Sequence, residues 1–263
     1  MVEIEIPLTG GNSNASVVRI DNTVRRTIGR SSATVHRLLE FLQKQGFSHA
    51  PKFLGIDQKG REILSFIDGT CEISRSVWCS DMAIKSVATS LRDFHDITSR
   101  YPAQHDDNWA FVYPDRSQHE VICHNDFGLY NLILNDDQCT GIIDFDLAGP
   151  GPRLRDIAYA AYWLTPLSFN AADMAPFTQT DIHNGCRRLK LFCSSYGIAA
   201  DSDLLSMVSE VLHFMGNENA MVKLQGKEIT QSLVRDGHLH HWQKEALTFD
   251  ENRQLLESAI LSD

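Results

Sequence analysis

The sequence predicts an α+β protein with a small antiparallel sheet near the N-terminus and a larger helical region after it. Between residues 4 and 67, short runs of apolar and polar residues alternate as they do in half-buried strands. After residue 156 the apolar residues recur at helical spacing instead. With 263 residues, of which 43% are hydrophobic and 22% charged, the chain can bury a full core and has an ordinary globular composition.

The N-terminal quarter of the chain contains the strand signals and one helix signal. Val35, Leu38 and Leu42 follow helical spacing, and Gly46 supplies a stop. Residues 9–16 are small, polar and turn-prone. In chain order we expect strands at 4–8, 17–20 and 23–26, a helix at 34–45, and strands at 53–56 and 62–67.

A β-hairpin is predicted in the middle of the chain. The apolar runs 132–134 and 142–143 flank a turn-type cluster at 135–138. Asn131 enters this hairpin and Asp144 leaves it. Because the two open ends of a hairpin lie side by side, we expect these two side chains to be neighbours.

The segment 124–131, His-Asn-Asp-Phe-Gly-Leu-Tyr-Asn, places polar groups beside the hairpin. Asp126 can accept the proton of a substrate hydroxyl, and Asn131 and Asp144 offer the hard oxygen ligands that Mg²⁺ prefers. This order of base, amide and second carboxylate is the one used in kinase-type phosphoryl transfer. His124 either acts as a second catalytic group or orients the loop by a hydrogen bond, and orientation is the favoured interpretation.

With these residues the chain resembles the aminoglycoside phosphotransferase family, which is similar to choline kinases and related small-molecule kinases. The resemblance is sharpest in residues 17–69 and 121–161. It implies a protein-kinase-like two-lobe fold, with residues 1–68 as a sheet-rich N-lobe and residues 69–263 as a helical C-lobe. It also implies ATP as the phosphoryl donor, bound between the lobes, and Mg²⁺ as the cofactor.

The resemblance implies a phosphate-binding cation in the N-lobe. The family's strand lysine has no counterpart, since no lysine precedes Lys44. Arg25 or Arg26 would then bind the phosphates, and strand alternation favours Arg26. Arginine stays charged and can bind phosphate through two N–H groups, so the replacement is chemically reasonable. Glu40 or His36 of the predicted helix would steady this arginine.

The resemblance also implies roles for other segments. Residues 9–16 would cover the nucleotide, and the backbone from Ser65 to Ile67 would bind the adenine edge at the hinge. Asp156 would open a C-lobe helix and support the metal-binding loop. For Asp146 two interpretations stay open, a contact to metal or substrate and a solvated loop acid.

The C-terminal third is helical in pattern, and in the resembled family it contributes to the acceptor site. Helices are predicted at 157–164, 187–196, 202–215 and 239–256. The residues that could contact amino or hydroxyl groups of an acceptor are Glu210, Asn217, Glu218 and Asn219.

The charge distribution favours certain partners. Residues 1–68 hold 9 Lys+Arg and 7 Asp+Glu, whereas the rest of the chain holds 15 and 27, for a total net charge of −10. A mildly basic N-lobe suits a triphosphate, and an acidic remainder favours a cationic acceptor. The same acidity argues against a nucleic-acid partner.

Cysteine usage and hydropathy favour a cytoplasmic protein. The six cysteines form no Cys-x-x-Cys pair, and we find no signal peptide and no apolar run of membrane-spanning length. The sequence leaves the oligomeric state open.

The sequence therefore predicts an ATP- and Mg²⁺-dependent kinase that phosphorylates a hydroxyl of a small molecule such as an aminoglycoside. Choline, ethanolamine or a sugar is the alternative acceptor. A nucleotide-binding pseudokinase is the alternative from another class of protein, and the missing strand lysine is its support.

Overall fold

The computed structural model describes residues 4–8, 17–71, 80–165, 167–169 and 182–261. Contacts divide the chain into a first unit, Met1–Ile73 with Asp93–Gly151, and a second unit, Ser74–Arg92 with Pro152–Asp263. The lobes predicted from the sequence, 1–68 and 69–263, divide the chain differently and stay a prediction. The predicted nucleotide-covering loop 9–16 lies outside the described residues.

The first unit contains a five-stranded antiparallel sheet. Its strands are β1 Ile6–Pro7, β2 Val18–Ile20, β3 Thr23–Thr27, β4 Phe53–Ile56 and β5 Arg61–Ser65, in the spatial order β1-β2-β3-β5-β4. All five predicted strands are present. The first two are shorter than predicted, the third is one residue longer, and the last begins one residue earlier and ends two residues earlier.

The predicted N-terminal helix is α1, which spans Ser32–Lys44. Its buried face contains Val35, Leu38 and Leu42, at the helical spacing seen in the sequence. From the same helix the His36 ring stacks on Phe53 of β4, with 3.7 Å between ring centroids. Helix α1 is thereby fixed against the sheet edge that β4 forms.

Two short ribbons complete the described strands of the first unit. They pair antiparallel as β6 Val121–Cys123 with β9 Gly149–Gly151, and as β7 Leu132–Asn135 with β8 Gln138–Ile142. The second ribbon is the predicted hairpin. Asp136 takes a positive φ of 52° in its turn, a backbone region that aspartate tolerates better than most residues.

The second unit is helical. The described helices after α1 are α2 Asp81–Thr98, α3 Arg153–Leu164, α4 Ile182–Tyr196, α5 Ser202–Met215, α6 Glu218–Gln225, α7 Lys227–Arg235 and α8 His238–Leu261. Helix α5 packs on α3 and α8, and α4 packs on α8. Residues of α2 up to Arg92 belong to this unit.

The helices of the second unit can be compared with the predicted helices. The four predicted helices correspond to α3, α4, α5 and α8, whereas α2, α6 and α7 were not predicted. Asp156 lies in the first turn of α3 and is fully buried. An antiparallel sheet in the N-terminal region and helices in the C-terminal part confirm the predicted α+β class.

Among the described helices, none combines the length and the apolar character that crossing a lipid bilayer requires.

Gly149 in β9 provides a test of packing in the first unit. A Cβ atom at this position would lie 1.7 Å from the carbonyl oxygen of Phe111, which is backbone and cannot rotate away. Gly149→Ala should therefore lower the free energy of unfolding by about 3 kcal/mol or more, as overpacking does. Gly29→Ala is the matched control, since its Cβ would lie 3.8 Å from Ser32 Oγ and should change stability by less than ~0.5 kcal/mol. Equal urea midpoints for the two variants would contradict the steric argument.

Candidate active site

The β7–β8 hairpin brings Asn131 and Asp144 to one end. Leu132 pairs with Ile142 in the hairpin register, and the Ile143 amide donates a hydrogen bond of 2.9 Å to the Asn131 carbonyl oxygen. Asn131 therefore directly precedes β7, and Asp144 follows β8 by one intervening residue. The hairpin thus places both residues at the same end, as the two apolar runs predict.

Asp126 is held through both of its carboxylate oxygens. The Tyr130 hydroxyl donates to Oδ1 at 2.5 Å, and Asn131 Nδ2 donates to Oδ2 at 2.9 Å. Asn131 Nδ2 also donates to the Asp126 carbonyl oxygen at 3.0 Å. Since Nδ2 of Asn131 faces Asp126, the Oδ1 atom of the same amide is the one that a cation could use.

His124 joins the Asp126 loop to the end of β8. The ring is buried, and its Nδ1 accepts from the Asp126 amide at 3.3 Å, so Nε2 carries the proton and donates to the Ile143 carbonyl at 2.9 Å. Phe145 packs against the ring, with 4.8 Å between centroids. A buried ring with both nitrogens engaged is suited to orienting the loop rather than to exchanging protons with a substrate.

Two residues of this region have left-handed backbone conformations. Asn125 and Asp144 both have φ of 64°, an uncommon value for residues other than glycine. Such conformations cost on the order of 1 kcal/mol or more and persist where the surroundings enforce them. Here Asn125 Nδ2, of the side chain, donates to the Leu147 carbonyl at 3.0 Å, which ties the first of these residues to the segment after β8.

Arg26 of β3 is surrounded by three carboxylates. Its Nε pairs with Glu62 Oε1 on the neighbouring strand β5, where the two residues are directly opposed in the register. Its Nη1 donates to Asp144 Oδ1 at 3.1 Å and its Nη2 to Asp146 Oδ1 at 2.5 Å. Burial opposes the charge of Arg26, but Asp146, Glu62 and Asp144 outweigh burial and raise its pKa.

Glu62 is the partner of Arg26 that the sequence analysis missed. Its side chain is only 1% exposed, and its Oε2 lies 2.5 Å from His36 Nε2. Burial alone would raise the pKa of Glu62, but the hydrogen bond from His36 and the charge of Arg26 lower it below the ordinary value. His36 thus reaches Arg26 through Glu62, whereas Glu40 lies on the exposed face of α1.

The two candidate arginines lie on opposite faces of β3. Arg25 Nη1 donates to Thr23 Oγ1 at 2.6 Å, and its Nε lies 3.8 Å from Asp57 Oδ2. Among the described residues Arg26 is the arginine brought to Asp144 and Asp146, and Arg25 is not. This follows from strand alternation, which directs successive side chains to opposite sides.

The proposed hinge residues lie at the end of β5. Ser65 exchanges hydrogen bonds with Lys52, donating from its amide at 2.9 Å and accepting at its Oγ from the Lys52 amide at 2.8 Å. The hydrogen bonds of the described chain leave the amide and carbonyl of Ile67 without a partner. These two backbone groups suit the hydrogen-bonding edge of a purine.

The acceptor candidates belong to the second unit. Glu210, Glu218 and Asn219 are exposed there. Asn217 is the N-cap of α6, since its Oδ1 accepts from the Ala220 amide at 3.0 Å. A capping side chain is already engaged, so Asn217 is the weakest of the four candidates.

Comparison with known proteins identifies similar sequences. The model of the family described as "Phosphotransferase enzyme family" matches residues 78–181. The trifolitoxin immunity protein of Rhizobium leguminosarum bv. trifolii is 30% identical over 200 residues, which cover 74% of this chain and 75% of that protein.

Solved structures with a similar fold include several small-molecule kinases. The amicoumacin kinase hAmiN, in complex with AMP-PNP, Ca²⁺ and Ami, has a TM-score of 0.65 and 12% identity over 94% of this chain and 88% of that one. The choline kinase of Cryptosporidium parvum has a TM-score of 0.55 and 14% identity, with 98% and 91% covered. Aminoglycoside phosphotransferase APH(3'')-Id of Streptomyces rimosus, in complex with ADP and streptomycin, has a TM-score of 0.54 and 16% identity, with 79% and 91% covered.

Glu62→Gln tests the buried ion pair. The amide keeps the size of the side chain but not its charge, so the free energy of unfolding at neutral pH should fall by about 2 kcal/mol. The folded-state pKa of Glu62 is below the ordinary 4.5, so this stabilisation is present above pH 4.5 and is lost as the pH falls through the folded-state pKa. Urea denaturation at several pH values should show the difference between wild type and variant shrinking below pH 4.5.

The matched control is Glu40→Gln on the exposed face of α1, which should change stability by less than ~0.5 kcal/mol at every pH. A difference between wild type and Glu62→Gln that stays constant from neutral to acidic pH would contradict the charge-pair interpretation.

Proposed function

The chain is a small-molecule kinase that belongs to the phosphotransferase enzyme family, and we propose that it transfers the γ-phosphate of ATP to a hydroxyl of a small cationic acceptor with the help of Mg²⁺. The observation that carries this proposal is the arrangement at the hairpin end. A carboxylate held by two hydrogen bonds, an amide and a second carboxylate come together there from segments 126–131 and 142–144.

Asp126 is the proposed base. Its hydrogen bonds to Tyr130 and Asn131 fix the orientation of the carboxylate before a substrate arrives. A positioned base of this kind accepts the proton of the attacking hydroxyl and contributes roughly 10²–10⁴-fold to the rate. His124 maintains the loop through its bonds to the Asp126 amide and the Ile143 carbonyl.

The residues at the hairpin end fit a magnesium ion. Asp144 and Asp146 have side chains that are 47% and 56% exposed, so their oxygens can reach a ligand, and Asn131 adds an amide oxygen. Carboxylate and amide oxygens are the hard donors that Mg²⁺ selects. We propose Asn131 and Asp144 as its ligands and keep Asp146 as a further candidate. When bound, the ion neutralises charge on the β- and γ-phosphates.

Arg26 is the proposed phosphate ligand in place of the missing strand lysine. Glu62 uses the Nε side of the guanidinium, and both Nη atoms point towards the Asp144 and Asp146 carboxylates. The two Nη groups could donate in parallel to phosphate oxygens, which is the geometry that arginine offers and lysine does not. A buried Glu62 that holds the guanidinium supports a positioned phosphate ligand rather than a solvated strand arginine.

The acceptor class is inferred from charge and from similar proteins. The chain outside residues 1–68 is strongly acidic, which favours a cation. The structures of similar fold include complexes with streptomycin and with Ami, and also a choline kinase. The relative named for immunity to trifolitoxin adds that toxin as a candidate for phosphorylation.

The proposed function is tested by ADP release from Mg·ATP. The panel contains aminoglycosides, amicoumacin, choline, ethanolamine, simple sugars and trifolitoxin, each with wild type and with Asp126→Ala. Turnover should fall by about 100-fold or more in the variant, because it lacks the base, while Mg·ATP affinity is retained. Asp137→Ala, in the hairpin turn, is the control that should keep wild-type turnover.

Two outcomes would contradict the proposal. Wild-type rates in Asp126→Ala would exclude Asp126 as the base, and Mg·ATP binding without turnover of any acceptor would favour the pseudokinase alternative.

Asp144→Asn tests the metal site. Loss of a carboxylate ligand should weaken Mg·ATP binding by about tenfold or more. Binding of ATP without Mg²⁺ should change little or improve, because a negative charge near the phosphates is removed. Calorimetric titration with and without Mg²⁺ separates the two effects. Equal Mg·ATP affinity in wild type and variant would remove Asp144 from the metal site, and the same titration of Asp146→Asn decides between the two interpretations of Asp146.

A further inference from the structure

The Tyr130 hydroxyl occupies the position that an acceptor hydroxyl needs. It donates to Asp126 Oδ1 at 2.5 Å. A hydroxyl that is to be phosphorylated must make this same hydrogen bond to the base before it attacks. The other carboxylate oxygen, Oδ2, already accepts from Asn131. An acceptor hydroxyl that is to lie where the Tyr130 hydroxyl lies has to displace it from Oδ1.

The position of Tyr130 is built into the loop. A Cβ atom at residue 128 would lie 2.5 Å from Cε1 and 2.7 Å from Cζ of the Tyr130 ring, so the ring packs where any residue other than glycine would place a side chain. The turn Leu129–Asn131, closed by a 3.0 Å bond from the Asn131 amide to the Gly128 carbonyl, holds the ring over Gly128 and next to Asp126. Tyr130 is half-buried, and its hydrogen bond to Asp126 is only partly buried.

We propose that Tyr130 is phosphorylated by its own chain when Mg·ATP is bound and no acceptor is present. This inference rests on the proposed function of Asp126. The phenolic oxygen forms a bond to the γ-phosphorus, the bond from that phosphorus to the β-phosphate oxygen breaks, and ADP leaves. The phenolic proton goes to Asp126 Oδ1, along the hydrogen bond that already exists.

The modification limits the activity of the enzyme. A phosphate ester on Tyr130 brings about two negative charges beside the Asp126 carboxylate, which repels it and removes the hydrogen-bond donor. An acceptor that displaces the Tyr130 hydroxyl from Oδ1 protects the residue. Phosphorylation of Tyr130 and phosphorylation of the acceptor are therefore alternative outcomes of one bound ATP.

The experiment measures phosphate incorporation with Mg·ATP and without acceptor. Wild type should gain one phosphoryl group by intact mass, and peptide mapping should place it on Tyr130. Tyr130→Phe should gain none, and Asp126→Asn should react about 100-fold more slowly. Tyr101→Phe is the matched control, because the Tyr101 hydroxyl also donates to an aspartate, Asp107, at 3.4 Å. The Tyr101→Phe variant should be phosphorylated on Tyr130 to the same extent as wild type. The rate constant should be independent of protein concentration.

Three outcomes would overturn the inference. These are phosphate on a residue other than Tyr130, a rate proportional to protein concentration, and no incorporation in a preparation that phosphorylates an acceptor. The last outcome leaves the proposed function intact, because acceptor turnover is measured in the same preparation. A preparation that neither binds Mg·ATP nor turns over any acceptor contradicts the proposed function, and the inference falls with it.

Discussion

The candidate site depends on the charge of one guanidinium, that of Arg26, whose side chain is only 15% exposed. Arg26 pairs with Glu62 on the adjacent strand and with Asp144 and Asp146 after the hairpin. Glu62 is buried, so removing Arg26 as its partner would cost several kcal/mol, whereas the contacts to the exposed Asp144 and Asp146 contribute less. The register of β3 with β5 and the position of the hairpin end are thereby coupled through a single side chain. Without Arg26, the three carboxylates would repel one another.

A second set of interactions orients the base. Asp126 is fixed by side chains on its own loop, Tyr130 and Asn131, and His124 links that loop to the end of β8. The left-handed backbone at Asn125 costs conformational energy, which this network of hydrogen bonds offsets. Such preorganisation matters because phosphoryl transfer depends on position and charge far more than on covalent participation by the protein.

Local patterns in the sequence predicted much of the fold. Helix α1, the hairpin and the helix over residues 202–215 follow from spacing of apolar residues and from turn composition, both of which act over a few neighbouring residues. The neighbouring positions of Asn131 and Asp144 followed from the hairpin. Helix α2 was missed because residues 70–120 were not assigned, although Ile84, Val87, Leu91 and Phe94 are buried in it. The partner of Asp126, Tyr130, was missed because a tyrosine within a loop has no periodic signal.

The sequence by itself determined the types of chemical group, the α+β class and the hairpin that aligns Asn131 with Asp144. Strand alternation already favoured Arg26 over Arg25. Only the tertiary structure decided that Asp144, Asp146 and Glu62, rather than Glu40, are the acids that meet it. The reason is physical. The contacts of Arg26 join residues separated by 36 and by 118 to 120 positions along the chain. Strand register and packing decide which carboxylate meets a guanidinium over such separations. Neither of them produces a periodic pattern in the sequence.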